Sequence, residues 1–150
     1  MNGGFEEILI NPVYPVIPSE PSMRIKELVR DGVISCRASE PISCAVAKMY
    51  MNNVGSVLVI DDDGKPLGIF TERDLVRVVA ENLGLDIPLS KVMSRKLITA
   101  NTSESIVSAA MKMIENNIRH LPVIEEGRAV GMVSIRDIVR ALMAQELAYP

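Results

Sequence analysis

The chain has 150 residues, 48% of them hydrophobic and 23% charged, and a net charge of −3. This length and composition are typical of a single folded domain whose core needs neither disulfides nor a structural metal. The acidic balance, the absence of tryptophan and the few other aromatic residues argue against a nucleic-acid-binding surface.

The start of the chain lacks the features of export and membrane insertion. Residues 1–23 have no basic beginning and no long apolar run, and four prolines within 12–21 favour an extended arm. No segment of the sequence approaches the roughly 18 apolar residues that a membrane span needs. We therefore expect a cytoplasmic protein without membrane contact.

After this arm the sequence repeats itself, which indicates two similar structural units. Aligning residues 33–62 with 97–126, and 64–77 with 127–140, gives 17 identities in 44 pairs. The resulting division of the chain is an extended proline-rich arm at 1–23, a first repeat at 24–83, and a linker with the second repeat at 84–150.

Each repeat predicts the element order β-α-β-β-α. The first repeat predicts a strand at Val33–Cys36, a helix that Ser39 caps and Asn52–Asn53 end, strands at Ser56–Ile60 and Pro66–Phe70, and a helix from Thr71 to about Asn82. The second predicts a strand at Leu97–Ala100, a helix that Ser103 caps and Asn116–Asn117 end, strands at His120–Ile124 and Ala129–Val133, and a helix from Ser134 to about Leu147.

The apolar patterns of these elements predict how the repeats pack. The helices carry apolar residues three and four positions apart, so each buries one face. The strands are continuously apolar and need cover on both sides. A single unit of about 55 residues would bury too little surface alone. We therefore expect an α/β (α+β) fold in which tandem β-α-β-β-α repeats pack sheet to sheet.

The turn before the last helix of each repeat carries a hydroxyl residue and, three positions later, an aspartate. These are Thr71 and Asp74 in the first repeat, and Ser134 and Asp137 in the second. One interpretation is a helix cap, in which each side chain bonds to the other residue's backbone N–H. The other is a nucleotide site, because a helix N-terminus attracts phosphate and a carboxylate can hold both ribose hydroxyls.

Four basic or titratable side chains are candidates for a phosphate contact near these turns. Arg73 and Arg136 directly precede the two aspartates, and Arg119 and His120 precede a buried strand of the second repeat. A lone histidine at the start of a strand can also be an ordinary surface residue. The first repeat has glycine and serine at the positions aligned with Arg119 and His120. The sequence therefore predicts two unequal sites.

The tandem repeats, the glycine-to-aspartate turn in both copies and the string R-H-L-P-V from Arg119 resemble a CBS domain pair, the regulatory module named after cystathionine β-synthase. The resemblance covers residues 24–146. It implies pseudo-twofold symmetry between the repeats, a homodimer of two pairs and no required cofactor. It also implies that adenosine derivatives (AMP, ADP, ATP or S-adenosylmethionine) bind in two clefts, with AMP as the expected ligand.

The same resemblance assigns residues to the two clefts. One cleft would use Asp137 for ribose, Ser134, Arg136, Arg119 and His120 for phosphate, and Val33, Ile34 and Val54 for adenine. The other would use Asp74, Thr71 and Arg73, with Leu97, Ile98 and Ile118 around the base. The cleft of Asp137 is the expected main site, because the resemblance leaves the cleft of Asp74 without an arginine-histidine pair.

No catalytic constellation can be drawn from the sequence. Cys36 and Cys44 are interpreted as small core residues in a reducing compartment, since one histidine and two cysteines form neither a metal quartet nor a disulfide framework. We expect a non-enzymatic, energy-sensing module whose bound nucleotide shifts a conformational population that an effector protein reads. The alternative is a structural dimerisation module with vestigial clefts, whose aspartates only cap their helices.

Overall fold

The computed structural model describes residues 23–29 and 32–148, and it confirms the two-repeat α/β architecture. The strands are β1 (Ser35–Arg37), β2 (Ser56–Ile60), β3 (Pro66–Thr71), β4 (Ala100–Asn101), β5 (His120–Glu125) and β6 (Arg128–Ser134). The helices are α1 (Ile42–Asn52), α2 (Glu72–Ala80), α3 (Ile106–Glu115) and α4 (Ile135–Ala148). Short 3-10 turns cover Ile25–Glu27 and Leu89–Lys91. The predicted proline-rich arm lies outside the described residues.

Each repeat builds one three-stranded sheet, with the orders β1-β2-β3 and β4-β5-β6. In both sheets the first strand runs parallel to the second, and the third returns antiparallel to it. The hairpins turn at Gly64 and Gly127, whose φ angles of 81° and 76° suit glycine. The two repeats pack sheet to sheet about a pseudo-twofold axis.

The first helix of each repeat begins two residues later than the sequence predicts. In the first repeat the N-cap is Pro41 and not Ser39. The delay arises because the carboxylate of Glu40 folds back and accepts the N–H of Arg37 at 2.8 Å, which closes the turn between strand and helix. The second repeat shows the same shift, and its N-cap is Ser105.

These helices end where the sequence predicts. Asn53 and Asn117 both have a φ of 52°, the left-handed conformation that asparagine tolerates better than most residues. The strands that precede them are shorter than predicted, since β1 has three residues and β4 has two. In the part of the chain that the structure describes, no helix combines the length and apolar character needed to cross a membrane.

The hydrophobic core of each repeat includes side chains from the segment that leads into the other repeat. The side chain of Ile25 is fully buried in the core of the second repeat, and its N–H donates to the carbonyl of Glu104 at 2.8 Å. In turn Leu89, Val92 and Met93, which lead into the second repeat, are buried in the core of the first. Each core is therefore completed by residues that lie outside the strands and helices of its own repeat.

Glycines in β3 and β6 allow these segments to lie against the sheets. A Cβ atom on Gly68 would lie 2.6 Å from the carbonyl oxygen of Ser94, whose backbone exchanges two hydrogen bonds of 2.9 Å with Ile69. At the equivalent place in the second repeat, a Cβ atom on Gly131 would collide with the side chain of Val29. Close packing therefore explains both glycines, against the backbone of Ser94 at Gly68 and against the side chain of Val29 at Gly131.

Candidate functional site

A cavity of about 660 Å³ lies between the two repeats, which is within the size range of small-molecule sites. It contains residues from the end of β3 and the start of α2 in the first repeat, and residues ahead of β4 and β5 in the second. Its lining consists of Ile69, Thr71, Glu72, Arg73, Asp74, Val76, Ser94, Lys96, Leu97, Ile98, Asn117, Ile118, Arg119, His120 and Pro122.

Both strand-to-helix turns contain the reciprocal cap that the sequence predicts. Asp74 Oδ2 accepts the N–H of Thr71 at 2.9 Å, and the N–H of Asp74 donates to Thr71 Oγ1 at 3.4 Å. The second repeat repeats this pattern, with 2.8 Å from the N–H of Ser134 to Asp137 Oδ2 and 3.2 Å from the N–H of Asp137 to Ser134 Oγ. The capping interpretation is therefore confirmed for both turns.

The cap occupies only one oxygen of each aspartate, so it does not exclude a ligand contact by the other. Within residues 23–29 and 32–148, Asp137 Oδ1 accepts no hydrogen bond, and Asp74 Oδ1 has only a long contact of 3.5 Å with Arg77. An ionised carboxylate can accept about four hydrogen bonds. Each aspartate can thus hold its helix start and still accept a bond from a sugar hydroxyl.

The first backbone N–H of each final helix is already bonded and is not available to a phosphate. The N–H of Glu72 donates to the carbonyl of Gly55 at 3.1 Å, and the N–H of Ile135 donates to the carbonyl of Arg119 at 2.9 Å. The phosphate attraction that the sequence predicts at these helix starts therefore cannot use the first N–H group. In the cleft, the cationic side chains Arg73, Lys96 and Arg119 are the remaining groups that suit an anion.

The structure corrects the cleft to which Arg119 and His120 belong. The resemblance assigns them to the cleft of Asp137, but both line the cavity that contains Thr71 and Asp74. The reason is tertiary, because the start of β5 crosses to the first repeat. A Cβ atom on Gly55 would lie only 3.1 Å from His120 Nε2. Arg119 and His120 therefore line the cleft of Asp74, while the backbone of His120 pairs with Ser134 of the other cleft.

The other predicted members of this cleft are brought together as expected. Arg73 lies beside Asp74 on the side of the first repeat, and Leu97, Ile98 and Ile118 lie on the side of the second. The three aliphatic side chains are half-buried, so they offer apolar area without being lost to the core. The cavity thus contains both apolar and charged side chains, and each repeat contributes some of both kinds.

Several lining residues were not predicted from the sequence. Glu72 and Val76 lie on α2 beside predicted residues, and Lys96 directly precedes the predicted Leu97. A helical spacing drawn from Arg73 would have indicated Val76. Nothing local would have indicated Ser94, because it reaches the site only through its backbone pairing with Ile69.

The residues assigned to the second cleft lie on the symmetry-related elements. Ser134 and Asp137 are half-buried at the start of α4, and Arg136 between them is exposed. Val33 and Ile34 precede β1 and are half-buried, while Val54 precedes β2 with 36% of its surface exposed. Their role as ligand contacts remains a prediction.

His120 lies at the junction of the two repeats, near both acidic and basic side chains. Burial lowers the pKa of His120 below its usual 6.5, an effect that the charges of Glu72 and Asp137 oppose and that of Arg119 reinforces. The neutral imidazole is therefore the form that the folded protein favours.

This lowered pKa predicts a loss of stability on mild acidification. Below about pH 6.5 the unfolded chain takes up a proton that the folded His120 resists, so the free energy of unfolding falls until the folded-state pKa is passed. A His120→Gln variant should lose this portion of the pH dependence. Urea unfolding between about pH 7.5 and about pH 5.5 measures it, and equal slopes in both proteins would contradict the assignment.

The fold and the cavity define a two-repeat module with a ligand-sized cleft between the repeats. The family model of the CBS domain matches the chain twice, at residues 25–81 and 89–144. The chain therefore belongs to the CBS-domain family.

Three related proteins are similar over most of the chain. The CBS domain-containing protein YhcV of Bacillus subtilis is 30% identical over 125 residues, which are 83% of this chain and 89% of that protein. A CBS domain protein from Pyrobaculum aerophilum, solved complexed with AMP, has 30% identity and a TM-score of 0.76, covering 84% of this chain and 99% of the other. The CBS domain pair of protein MJ0100, solved with 5-methylthioadenosine and S-adenosyl-L-methionine, has 28% identity and a TM-score of 0.77, covering 83% and 99%.

In other curated relatives the matched segment is as little as 22% of the relative's length, so similar segments also occur inside longer chains.

Proposed function

We propose that the protein is a regulatory module that binds an adenosine nucleotide, with AMP as the preferred ligand, in the cleft of Asp74. The observation that carries this proposal is the cavity itself. Thr71, Arg73 and Asp74 of the first repeat lie across it from the aliphatic residues Leu97 and Ile98 of the second. A nucleotide likewise combines charged and hydroxyl groups with a flat base that apolar side chains can cover.

The lining residues suggest how the parts of a nucleotide would lie. Asp74 would accept hydrogen bonds from the two ribose hydroxyls through the oxygen that its cap leaves available. Arg73, Lys96 and Arg119 would contact the phosphate, and Thr71 would add a hydroxyl. The adenine would pack between aliphatic side chains of the second repeat.

The charges of the cavity favour a phosphorylated ligand over S-adenosylmethionine. Its lining holds three cationic side chains and two carboxylates, and His120 is neutral. The cations are Arg73, Lys96 and Arg119, and the carboxylates are Glu72 and Asp74. A phosphate dianion is attracted by such a set, whereas a sulfonium cation is not. The similarity to an AMP complex and to a complex with S-adenosyl-L-methionine is compatible with either ligand. The charge balance is the reason to place AMP first.

The second cleft would be the weaker site. Asp137, Ser134 and Arg136 can supply the same contacts, with Val33, Ile34 and Val54 around the base. The positions that align with Arg119 and His120 are Gly55 and Ser56, so this cleft would lack the second arginine. One charge-assisted hydrogen bond is worth about 1.5–3 kcal/mol, enough for roughly tenfold or more in affinity.

Binding would be the output of the protein, without catalysis. A ligand that bridges both repeats stabilises the arrangement in which their two walls are closest. Because the exchanged segments tie each core to the other repeat, a shift at the cleft would change both repeats together. An effector protein would read this change.

A homodimer would be built from the exposed apolar residues of the helices. Tyr50 and Ile114 occupy equivalent positions in α1 and α3, with 87% and 68% of their surfaces exposed. Val79 and Leu142 are likewise equivalent and exposed on α2 and α4. An apolar face that obeys the internal symmetry suits the self-complementary interface of a twofold dimer. Sedimentation equilibrium should give the mass of two chains.

Isothermal titration with AMP, ATP and S-adenosylmethionine tests the proposed ligand. At about 100 µM protein even a weak site releases measurable heat. We expect AMP to bind most tightly and S-adenosylmethionine least tightly. Absence of heat with all three would favour the structural module, whose capped aspartates need no ligand.

A further inference from the structure

Three potential metal ligands lie together in the first repeat, and none of them lines the cavity. Cys36 lies in β1, Glu40 in the turn that follows it, and Cys44 in the first turns of α1. Their sulfur atoms and a carboxylate oxygen all lie within 4.8 Å of one another. We propose that these three side chains bind a thiophilic divalent cation of the Zn²⁺ type.

The distances suit a shared tetrahedral ion. The sulfurs of Cys36 and Cys44 are 3.5 Å apart, and two sulfurs bound at about 2.3 Å to one tetrahedral ion are separated by about 3.8 Å. Cys44 Sγ lies 2.7 Å from Glu40 Oε2, to which its thiol donates a hydrogen bond. When the ion takes the place of the thiol proton, this carboxylate has to move away by about 1 Å.

The burial of the three ligands leaves room for a fourth. Cys36 is buried, with 1% of its surface exposed, and so provides a fixed anchor. Cys44 and Glu40 are half-buried, so solvent reaches part of each residue. A water molecule can therefore complete the coordination from solvent, as in zinc sites with three protein ligands.

The local charge would be balanced once the cation is bound. Two thiolates and one carboxylate carry three negative charges, and the cation supplies two positive charges. Lys48 lies close enough to influence all three ligands and supplies the third. Its ammonium group is held in place because it donates to the carbonyl of Ser35 at 2.5 Å. A partly buried site without net charge avoids a large desolvation cost.

The second repeat shows that the fold itself does not need the thiols. The positions equivalent to Cys36 and Cys44 are Ala100 and Ser108, around the equivalent Glu104. Ser108 Oγ donates to Glu104 Oε2 at 3.1 Å, as Cys44 does to Glu40. The glutamate closes the same turn in both repeats. At the three ligand positions the first repeat differs by its two sulfurs, which are the donors that a thiophilic metal requires.

Titration with Co²⁺, a spectroscopic substitute for Zn²⁺, tests this site. The tag-free full chain is first stripped with a chelator and kept reduced with a phosphine. We expect one Co²⁺ per chain, with thiolate-to-cobalt charge-transfer absorption and the visible bands of tetrahedral cobalt, all removed by added Zn²⁺. About two protons should be released for each ion bound, since both thiols ionise.

The matched control is the Cys36→Ala/Cys44→Ser double variant, which copies the second repeat and should keep the native circular dichroism spectrum. It should show no charge-transfer absorption. Cys44→Ser alone should halve the absorption, which keeps the test decisive if the double variant misfolds. Glu40→Gln, whose amide oxygen can still accept the N–H of Arg37, should weaken Co²⁺ binding by about tenfold or more.

Two results would overturn the proposal. One is that the reduced wild-type chain takes up no Co²⁺ although titration shows two free thiols. This result would count against the metal site even if a mild oxidant then linked the two thiols as a disulfide. The other is equal uptake by the wild type and the double variant. Neither result would bear on the nucleotide cleft, because its lining contains none of the three residues.

Discussion

An Asp74→Ala variant is expected to bind AMP about 100-fold or more weakly than the wild type while remaining folded. The two hydrogen bonds from the ribose hydroxyls to this carboxylate are charge-assisted and together contribute about 3 kcal/mol or more. The helix cap lost with the same side chain costs only about 1 kcal/mol of stability. Isothermal titration and urea unfolding measure the two effects separately.

Asp137→Ala is the matched control for this experiment. Asp137 makes the same cap in the second repeat, so its loss should lower the free energy of unfolding by a similar amount. Affinity in the cleft of Asp74 should change little, because Asp137 does not line that cavity. If both variants lose the same affinity, a general loosening of the fold explains the loss and the ribose contact is wrong.

The ligand can be changed as well as the protein. AMP that lacks its 2′-hydroxyl should bind the wild type more weakly than AMP does, because one hydrogen bond to the carboxylate is missing. The Asp74→Ala variant should bind both ligands alike. A preference that survives the substitution would show that another group holds the ribose.

The local features of the fold were predictable because neighbouring residues determine them. The caps at Thr71 and Ser134 follow from a hydroxyl and an aspartate three positions apart, and the hairpin turns from Gly64 and Gly127. The late start of α1 differs from the prediction, although its cause is also local. Glu40 accepts the N–H of Arg37, and the helix begins only after this turn, at Ile42.

The parts of the site that could not be predicted from the sequence depend on contacts between distant segments. Residues near Ser94 and Ile25 complete a repeat other than their own, and no local pattern encodes this exchange. The same crossing carries Arg119 and His120 to the first repeat. His120 also pairs with Ser134 across the sheet, whereas the cavity that it lines is the one of Asp74 and not the one that the resemblance implies.

An Arg119→Ala variant should bind AMP about 10- to 100-fold more weakly and bind adenosine almost as well as the wild type. The guanidinium lies on the cavity and is exposed to solvent, so its removal takes away a phosphate contact without opening the core. Its carbonyl still accepts the N–H of Ile135, because that bond belongs to the backbone. Titrations with both ligands, at about pH 7.5 to keep His120 neutral, measure the difference.

Arg128→Ala separates this local contact from the overall charge of the protein. Arg128 is exposed at the start of β6 and pairs with Glu125, whereas His120 lies at the opposite end of the same pair of strands. Its loss changes the net charge equally and should leave the affinity for AMP within about twofold, because salt screens charges beyond roughly 10 Å. Equal weakening of AMP and adenosine by Arg119→Ala would mean that the arginine shapes the cleft and does not contact a phosphate.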